Sequence, residues 1–293
     1  MKGSQQPLVQ RMMRKLDKTL AALFFIDQWV ILAGPRTGYQ GLDWKSLRPL
    51  LPPKDRYWGD PFVMQRGDCY YVFIEEKLYG TGLGRIACLT LDSQGRLLSQ
   101  QVVLQQPYHL SYPFIFEQDG ELYMIPESAA HRTIELYRCT HFPDRWEFVK
   151  NLLSDLYAVD ATLLEHAGQC WLFANVKASR GSSLDALYLF HAPSLFADWQ
   201  AHPRNPVVWD IRSARPGGRI FSHQGELIRP SQDSSRRYGY ALRFNRITSL
   251  SETGYAESPA GAFTPAHSRY LATHTFNEAG DITMVDAILR RRK

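Results

Sequence analysis

The chain reads as all-β, a five-bladed β-propeller with a short N-terminal helix, on three observations. A pair of strand-like segments recurs about every 50 residues, within the range of propeller blades. Each pair is joined by a polar turn of the kind tight hairpins need, and a second register of outer-strand segments repeats with the same period. A β-sandwich has no reason to repeat at this spacing.

The first full copy is Asp60-Pro61-Phe62-Val63 followed by Tyr70-Tyr71-Val72-Phe73, across the turn Gln65-Arg66-Gly67-Asp68. The second is Tyr112-Pro113-Phe114-Ile115 followed by Leu122-Tyr123-Met124-Ile125, where Asp119-Gly120 supplies residues suited to positive φ. Asp160-Ala161-Thr162-Leu163 with Trp171-Leu172-Phe173 is the third, and Arg215-Pro216-Gly217-Gly218-Arg219-Ile220 with Glu226-Leu227-Ile228 the fourth. His274-Thr275-Phe276 with Ile282-Thr283-Met284-Val285 makes five, and Trp29-Val30-Ile31-Leu32 is expected to fasten the ring to that last blade. Outer strands repeat as Leu136-Tyr137 before Phe142 to Trp146, and Leu187-Tyr188 before Phe196 to Trp199. Trp146 and Trp199 are expected to pack between blades. The domain reading is an amphipathic helical segment over 1–26, from the spacing of Val9, Met12, Met13, Leu16, Leu20, Leu23 and Phe24, then one propeller over 27–293.

Composition bounds the rest. Hydrophobic residues at 44% and charged residues at 22% describe a globular protein, not a disordered or fibrous one. The net charge of +5 is partly terminal, with Arg290 to Lys293 at one end and Arg11, Arg14, Lys15 and Lys18 near the other, so it lacks the dense stripe of a nucleic-acid binder. Contact of the basic N-terminal segment with a membrane surface stays open. Cys69, Cys88, Cys139 and Cys170 are scattered and read as reduced. No apolar run is long enough to span a bilayer, and a cytoplasmic location, membrane-associated or not, is the expectation. Walker, Gly-x-Ser-x-Gly and dinucleotide motifs are absent, so no cofactor is expected. His223, His267 and His274 show no ligand spacing, and no metal is assigned.

In such a ring Asp60, Tyr112, Asp160, Arg215 and His274 occupy equivalent strand starts around one axis. Further acids follow the second strands, namely Glu75-Glu76 and Glu127, with Gln232 and Asp233 in the fourth blade. Two carboxyl groups, one protonated as acid and one ionised as base or nucleophile, are the minimum for cleaving a glycosidic bond. Asp60, Glu127 and Asp160 are the catalytic candidates. Glu75, Tyr112, Arg215, Gln232, Asp233 and His274 are the substrate-binding candidates, and Tyr39 and Trp58 the candidate sugar platforms. The plainer alternatives are that Asp60 and Asp160 only tie turns, that Glu75-Glu76 is a solvated strand end, and that Arg215 locks the ring by pairing with an acid.

These segments also resemble a known family. The runs Ser111-Tyr112-Pro113-Phe114, Tyr123-Met124-Ile125-Pro126-Glu127-Ser128 and Arg229-Pro230-Ser231-Gln232-Asp233 resemble the N-terminal domain of glucosamine inositolphosphorylceramide transferases and its stand-alone bacterial relatives. That family is distantly similar to five-bladed glycosidases of the arabinanase, xylosidase and invertase type. The resemblance implies a sugar or glycolipid head-group ligand, with a nucleotide sugar as donor if transfer occurs, and a base or nucleophile at Asp60. Tyr112 stands where those glycosidases carry a second-blade Asp. In the plant proteins transfer is attributed to a C-terminal domain that is not in this sequence. The functional expectation is therefore glycosidic-bond chemistry, hydrolysis or transfer, in bacterial polysaccharide or glycolipid metabolism; the alternative is a non-catalytic carbohydrate-binding or scaffolding propeller that serves a separate transferase.

Overall fold

The computed structural model describes residues 24–177 and 182–293, and among them twenty-one strands form five separate antiparallel sheets. The first sheet contains β3 (Arg56–Arg66), β4 (Cys69–Leu78), β5 (Gly84–Leu91) and β6 (Leu97–Leu104). The second contains β7 (Ser111–Gln118), β8 (Glu121–Ser128), β9 (Thr133–His141) and β10 (Arg145–Ser154). The third runs β11 (Ala158–His166), β12 (Gln169–Val176), β13 (Ala186–Ala192) and β14 (Gln200–Ala201), with β15 (Val208–Trp209) also on β13. The fourth is β16 (Phe221–His223), β17 (Glu226–Asp233), β18 (Ala241–Ser251) and β19 (Gly254–Phe263).

The fifth blade closes the ring. Its inner strands β20 (Phe276–Ala279) and β21 (Ile282–Arg292) come from the end of the chain, and its outer strands β1 (Phe25–Pro35) and β2 (Arg48–Leu50) from the start. β1 pairs with β21 in unbroken register from Phe25 opposite Arg292 to Pro35 opposite Ile282, as expected for the Trp29 to Leu32 segment. Val30, Ile31 and Leu32 have no exposed surface. Each such side chain contributes about 1.5–3 kcal/mol through burial, which makes this pairing the ring's clasp. Most of the N-terminal segment read as helical, residues 1–23, lies outside the described residues. Phe25 and Ile26, counted with it, belong to β1 instead.

Blades pack through aromatic side chains that point sideways from the pleat. Phe62 meets Phe114 and Tyr112 edge-on, and Trp146 sits edge-on to Phe73 at 5.6 Å. Trp146 and Trp199 both pack on the core shared by the first three blades, the blade-packing role their repetition suggests.

The first strands of the first three blades break register at one place each, after Gly59, Ser111 and Val159. At each break the next residue, Asp60, Tyr112 or Asp160, has positive φ (51°, 42° and 55°). An extra residue in one strand re-aims its side chain, and a non-glycine residue held at positive φ costs about 1–3 kcal/mol that surrounding contacts must offset. Three equivalent bulges thus turn three repeated residues toward the channel axis.

Candidate active site in the central funnel

Two rings of side chains surround the axis at one end of the channel. Asp60, Tyr112, Asp160, Arg215 and His274 come from the first strand of each blade or the segment leading into it. The second ring comes from the second strands. Glu75, Glu127 and Asn175 lie opposite Gly59, Ser111 and Val159, while Gln232 and Asp286 hold the matching places in the last two blades through the bonds Gln232 N–H to Arg215 C=O and Asp286 N–H to Thr275 C=O.

Asp160 is fixed most firmly. Arg215 donates to both its oxygens, Nε to Oδ2 at 2.5 Å and Nη2 to Oδ1 at 3.1 Å, and Gln232 Nε2 adds a third bond at 2.7 Å. Both partners of this pair are nearly enclosed, so the bidentate geometry acts with little screening. Glu127 stands beside them in a contrasting state. Its Oε2 is buried with no hydrogen-bond donor among the described residues, and Arg215 Nη2 comes no closer than 3.7 Å. Burial and the negative charge of Asp160 push the Glu127 carboxyl well above its ordinary range, against the weaker opposing pull of Arg215. A carboxyl group pushed upward beside one tied to an arginine is the kind of contrast that separates acid from base in a two-carboxylate site.

Across the funnel Asp60 is enclosed and its pKa is raised to about 7, first by burial, with His274 opposing and Asp160, Glu75 and Asp286 adding. Asp60 Oδ1 accepts from Thr275 Oγ1 at 2.9 Å and Oδ2 from the Tyr112 N–H at 3.2 Å. His274 Nδ1 pairs with Asp286 Oδ2 at 2.5 Å. Desolvation lowers its pKa, but Asp286 above all, with Asp60 and Asp160 adding, lifts it to about 9. Asp60, His274 and Asp286 bring one potential ligand atom each within 4.8 Å of one another. These atoms are already engaged: Asp286 Oδ1 accepts from the His274 and Thr275 N–H groups, and Oδ2 from the Asp60 N–H. The trio is an internally satisfied ion pair bracing the fifth blade against the first.

The remaining candidates separate into two groups. Glu75 belongs to the mouth, where its Oε1 accepts from Tyr57 Oη at 2.9 Å and lies 3.2 Å from His109 Nε2, whereas Glu76 is fully buried among Arg56, Arg85, Trp58 and Gln100. Neither is a solvated strand end. Tyr112 has no exposed surface and does not line the mouth; its hydroxyl meets Thr162 Oγ1 at 2.9 Å and accepts from the Gly218 N–H at 2.8 Å, tying three blades beneath the carboxylates. Asp233 points away from the axis and is held by Arg243 and Ser235, which keep it below the usual carboxylate range. Gln232 acts on Asp160 from below. Tyr39 and Trp58 are core residues, 7% and 2% exposed, so neither offers a sugar platform.

The aromatic surface at the mouth belongs to residues the repeat did not single out. Trp29 stacks on His274 at 4.1 Å, and Tyr238, 43% exposed, lies edge-on to both and under the Arg215 guanidinium at 5.1 Å. Asp286 and Asn175 were missed as well, although a signal existed: Glu75, Glu127 and Asn175 each stand fifteen residues after Asp60, Tyr112 and Asp160.

Fold and funnel together define a five-bladed propeller built like the glycoside hydrolases. It resembles a family 117 glycoside hydrolase from Zobellia galactanivorans (TM-score 0.58, 10% identity, 89% of this chain and 90% of that one). It also resembles the catalytic domain of a Coprinopsis cinerea GH62 α-L-arabinofuranosidase (TM-score 0.56, 12% identity, 89% and 97%). At such identities the likeness concerns the fold alone. The chain belongs to the family described as glucosamine inositolphosphorylceramide transferase 1, N-terminal, whose model matches residues 53–270. A relative of that name from Oryza sativa subsp. japonica is 35% identical over 204 residues, 68% of this chain and 27% of the relative. The chain thus spans about a quarter of that relative's length.

Proposed function

We propose that the funnel acts on a glycosidic bond, with Glu127 as general acid, Asp60 as base or nucleophile, and Asp160 as the fixed charge that holds the proton on Glu127. The observation that carries this reading is the Glu127–Asp160–Arg215 arrangement, in which the buried Oε2 of Glu127 has no donor among the described residues while the neighbouring Asp160 carboxylate takes three. Two carboxyl groups held in different protonation states supply the acid and the base that cleavage or transfer requires. Arg215, Glu75 and Tyr238 line the mouth and would orient the sugar, and the same guanidinium suits a phosphate if the donor is a nucleotide sugar. The setting we assign is bacterial polysaccharide or glycolipid metabolism in the cytoplasm, with the ligand a carbohydrate or a glycolipid head group.

One observation favours a second reading, a non-catalytic carbohydrate-binding propeller serving a separate transferase. Both Asp60 oxygens accept bonds from neighbouring blades, so Asp60 also works as a lock. A turnover and thermal-shift screen against oligosaccharides, glycolipid head groups and nucleotide sugars, repeated with Asp60→Asn and Glu127→Gln, separates the two. Turnover falling at least a hundredfold in both variants with ligand stabilisation retained supports the enzyme. Ligand stabilisation without turnover in the parent protein supports the binding module.

A further inference from the structure

The two faces of the ring differ in charge and in apolar exposure, and the difference coincides with the funnel. The first strand of every blade starts at the mouth, so the loops after the second and fourth strands, together with Phe24 and Lys293, lie on the mouth face. That face carries Lys54, Arg132, Lys177, Arg236, Arg237 and Arg269, all exposed, and the end of β21 adds Arg290, Arg292 and Lys293. The exposed acids there are Asp27, Asp55 and Asp155, and the first two pair with Arg290 and Arg56. The opposite face is mixed: Arg36, Lys45, Arg48, Arg66, Arg96 and Arg145 are exposed there among more numerous acids, and Arg66 pairs with Glu117 and Arg246 with Glu226. Its turns and strand ends expose Asp68, Glu117, Asp119, Glu121, Asp144 and Glu165, with Glu226, Glu252 and Asp281 in the later blades.

Exposed apolar side chains are more numerous on the mouth face, although Leu97, Leu98 and Phe196 are exposed at the back and Phe148 on the outer strand β10. Trp209 at 70%, Phe24 at 58%, Leu51 at 45%, and Tyr79, Leu83 and Tyr238 at 43% each stand on loops or strand ends at the mouth face. They are spread over several blades with lysines and arginines between them, not as one dry patch. Protein interfaces are depleted in lysine and concentrate their apolar area, whereas the headgroup layer of a bilayer takes single aromatic rings interleaved with cations.

We propose that the mouth face rests on an anionic lipid bilayer, so that a head group carried by a lipid enters the funnel directly from the membrane. The docking stands on charge and exposure alone; the entry of a sugar-bearing head group rests on the function proposed above. The back face, where acids outnumber the interleaved arginines, gains no such attraction from the same surface, so the field of the whole molecule orients the ring mouth-down.

Flotation of the full chain with vesicles of phosphatidylcholine, with and without phosphatidylglycerol, tests this. Binding is expected only with the anionic lipid and should fall steeply with salt. Arg236→Glu with Arg237→Glu should weaken it at least about fivefold per residue, and Trp209→Ser should weaken it further. Glu117→Lys with Asp119→Lys on the back face should leave it intact. Binding that is absent at low salt, or unchanged by the mouth-face variants, would overturn the proposal. Asp60→Asn must still float with the vesicles, because its failure bears on the chemistry and not on the docking.

Discussion

At the residue scale the funnel is a set of carboxyl groups in unequal surroundings, Asp160 tied to Arg215 and Gln232 and Glu127 Oε2 without a donor among the described residues. Asp160→Asn removes the charge opposite Arg215 and leaves a buried guanidinium half-paired, so equilibrium denaturation should show a loss of about 3 kcal/mol. The same change should let the Glu127 carboxyl fall back toward its ordinary range. Under the proposed roles, with Asp60 as base and Glu127 as acid, kcat/KM should decline as pH falls below about 7, where Asp60 takes up its proton. An acid limb that persists unchanged in Asp60→Asn would contradict that assignment. His274 adds a stability term of definite sign. Its folded pKa of about 9 lies above the ordinary histidine value of about 6.5, so its contribution is complete below 6.5 and is lost as pH rises through 9. Denaturation midpoints should therefore drop between those values, by an amount on the order of 3 kcal/mol in stability, and His274→Gln should flatten the slope.

At the element scale the bulges explain why the site could be only half read. Alternating strands and glycine-containing turns mark the blades plainly, because strand period and turn chemistry are local. Which way a residue points after a bulge is not local. Asp60 and Asp160 turn to the mouth, whereas Tyr112 at the same position plunges beneath it, since its ring finds Phe62 and its hydroxyl finds Thr162 and Gly218. Tyr112→Phe should accordingly cost about 1–3 kcal/mol by leaving the Gly218 N–H without its acceptor, while ligand binding survives. Loss of binding with stability intact would return Tyr112 to the mouth. Trp58 misleads for a similar reason: an aromatic residue two places before Asp60 looks exposed in the repeat, but its indole N–H bonds to the buried Glu76.

At the scale of the whole molecule the ring depends on joining its two ends. The clasp of β1 on β21 was legible, because a leftover strand at the start of a five-copy repeat has one place to go. Leu32→Ala in that clasp should lower stability by about 2–5 kcal/mol, and the loss should appear in all blades together. Unfolding of the fifth blade alone, with the others retaining protection from hydrogen exchange, would show that closure does not couple the ring. The charge difference between faces was not legible, since it depends on which turns share a side and net charge averages over both.

The account rests on Glu127 carrying a proton at neutral pH. Infrared difference spectroscopy of the carboxyl C=O band, comparing the parent protein with Glu127→Gln across pH 5 to 9, measures this directly. A protonated-carboxyl band at pH 7 that disappears in Glu127→Gln and weakens in Asp160→Asn is the predicted result. A Glu127 band that has already vanished by pH 6 would mean an ordinary carboxylate, and the acid assigned to this funnel would be lost.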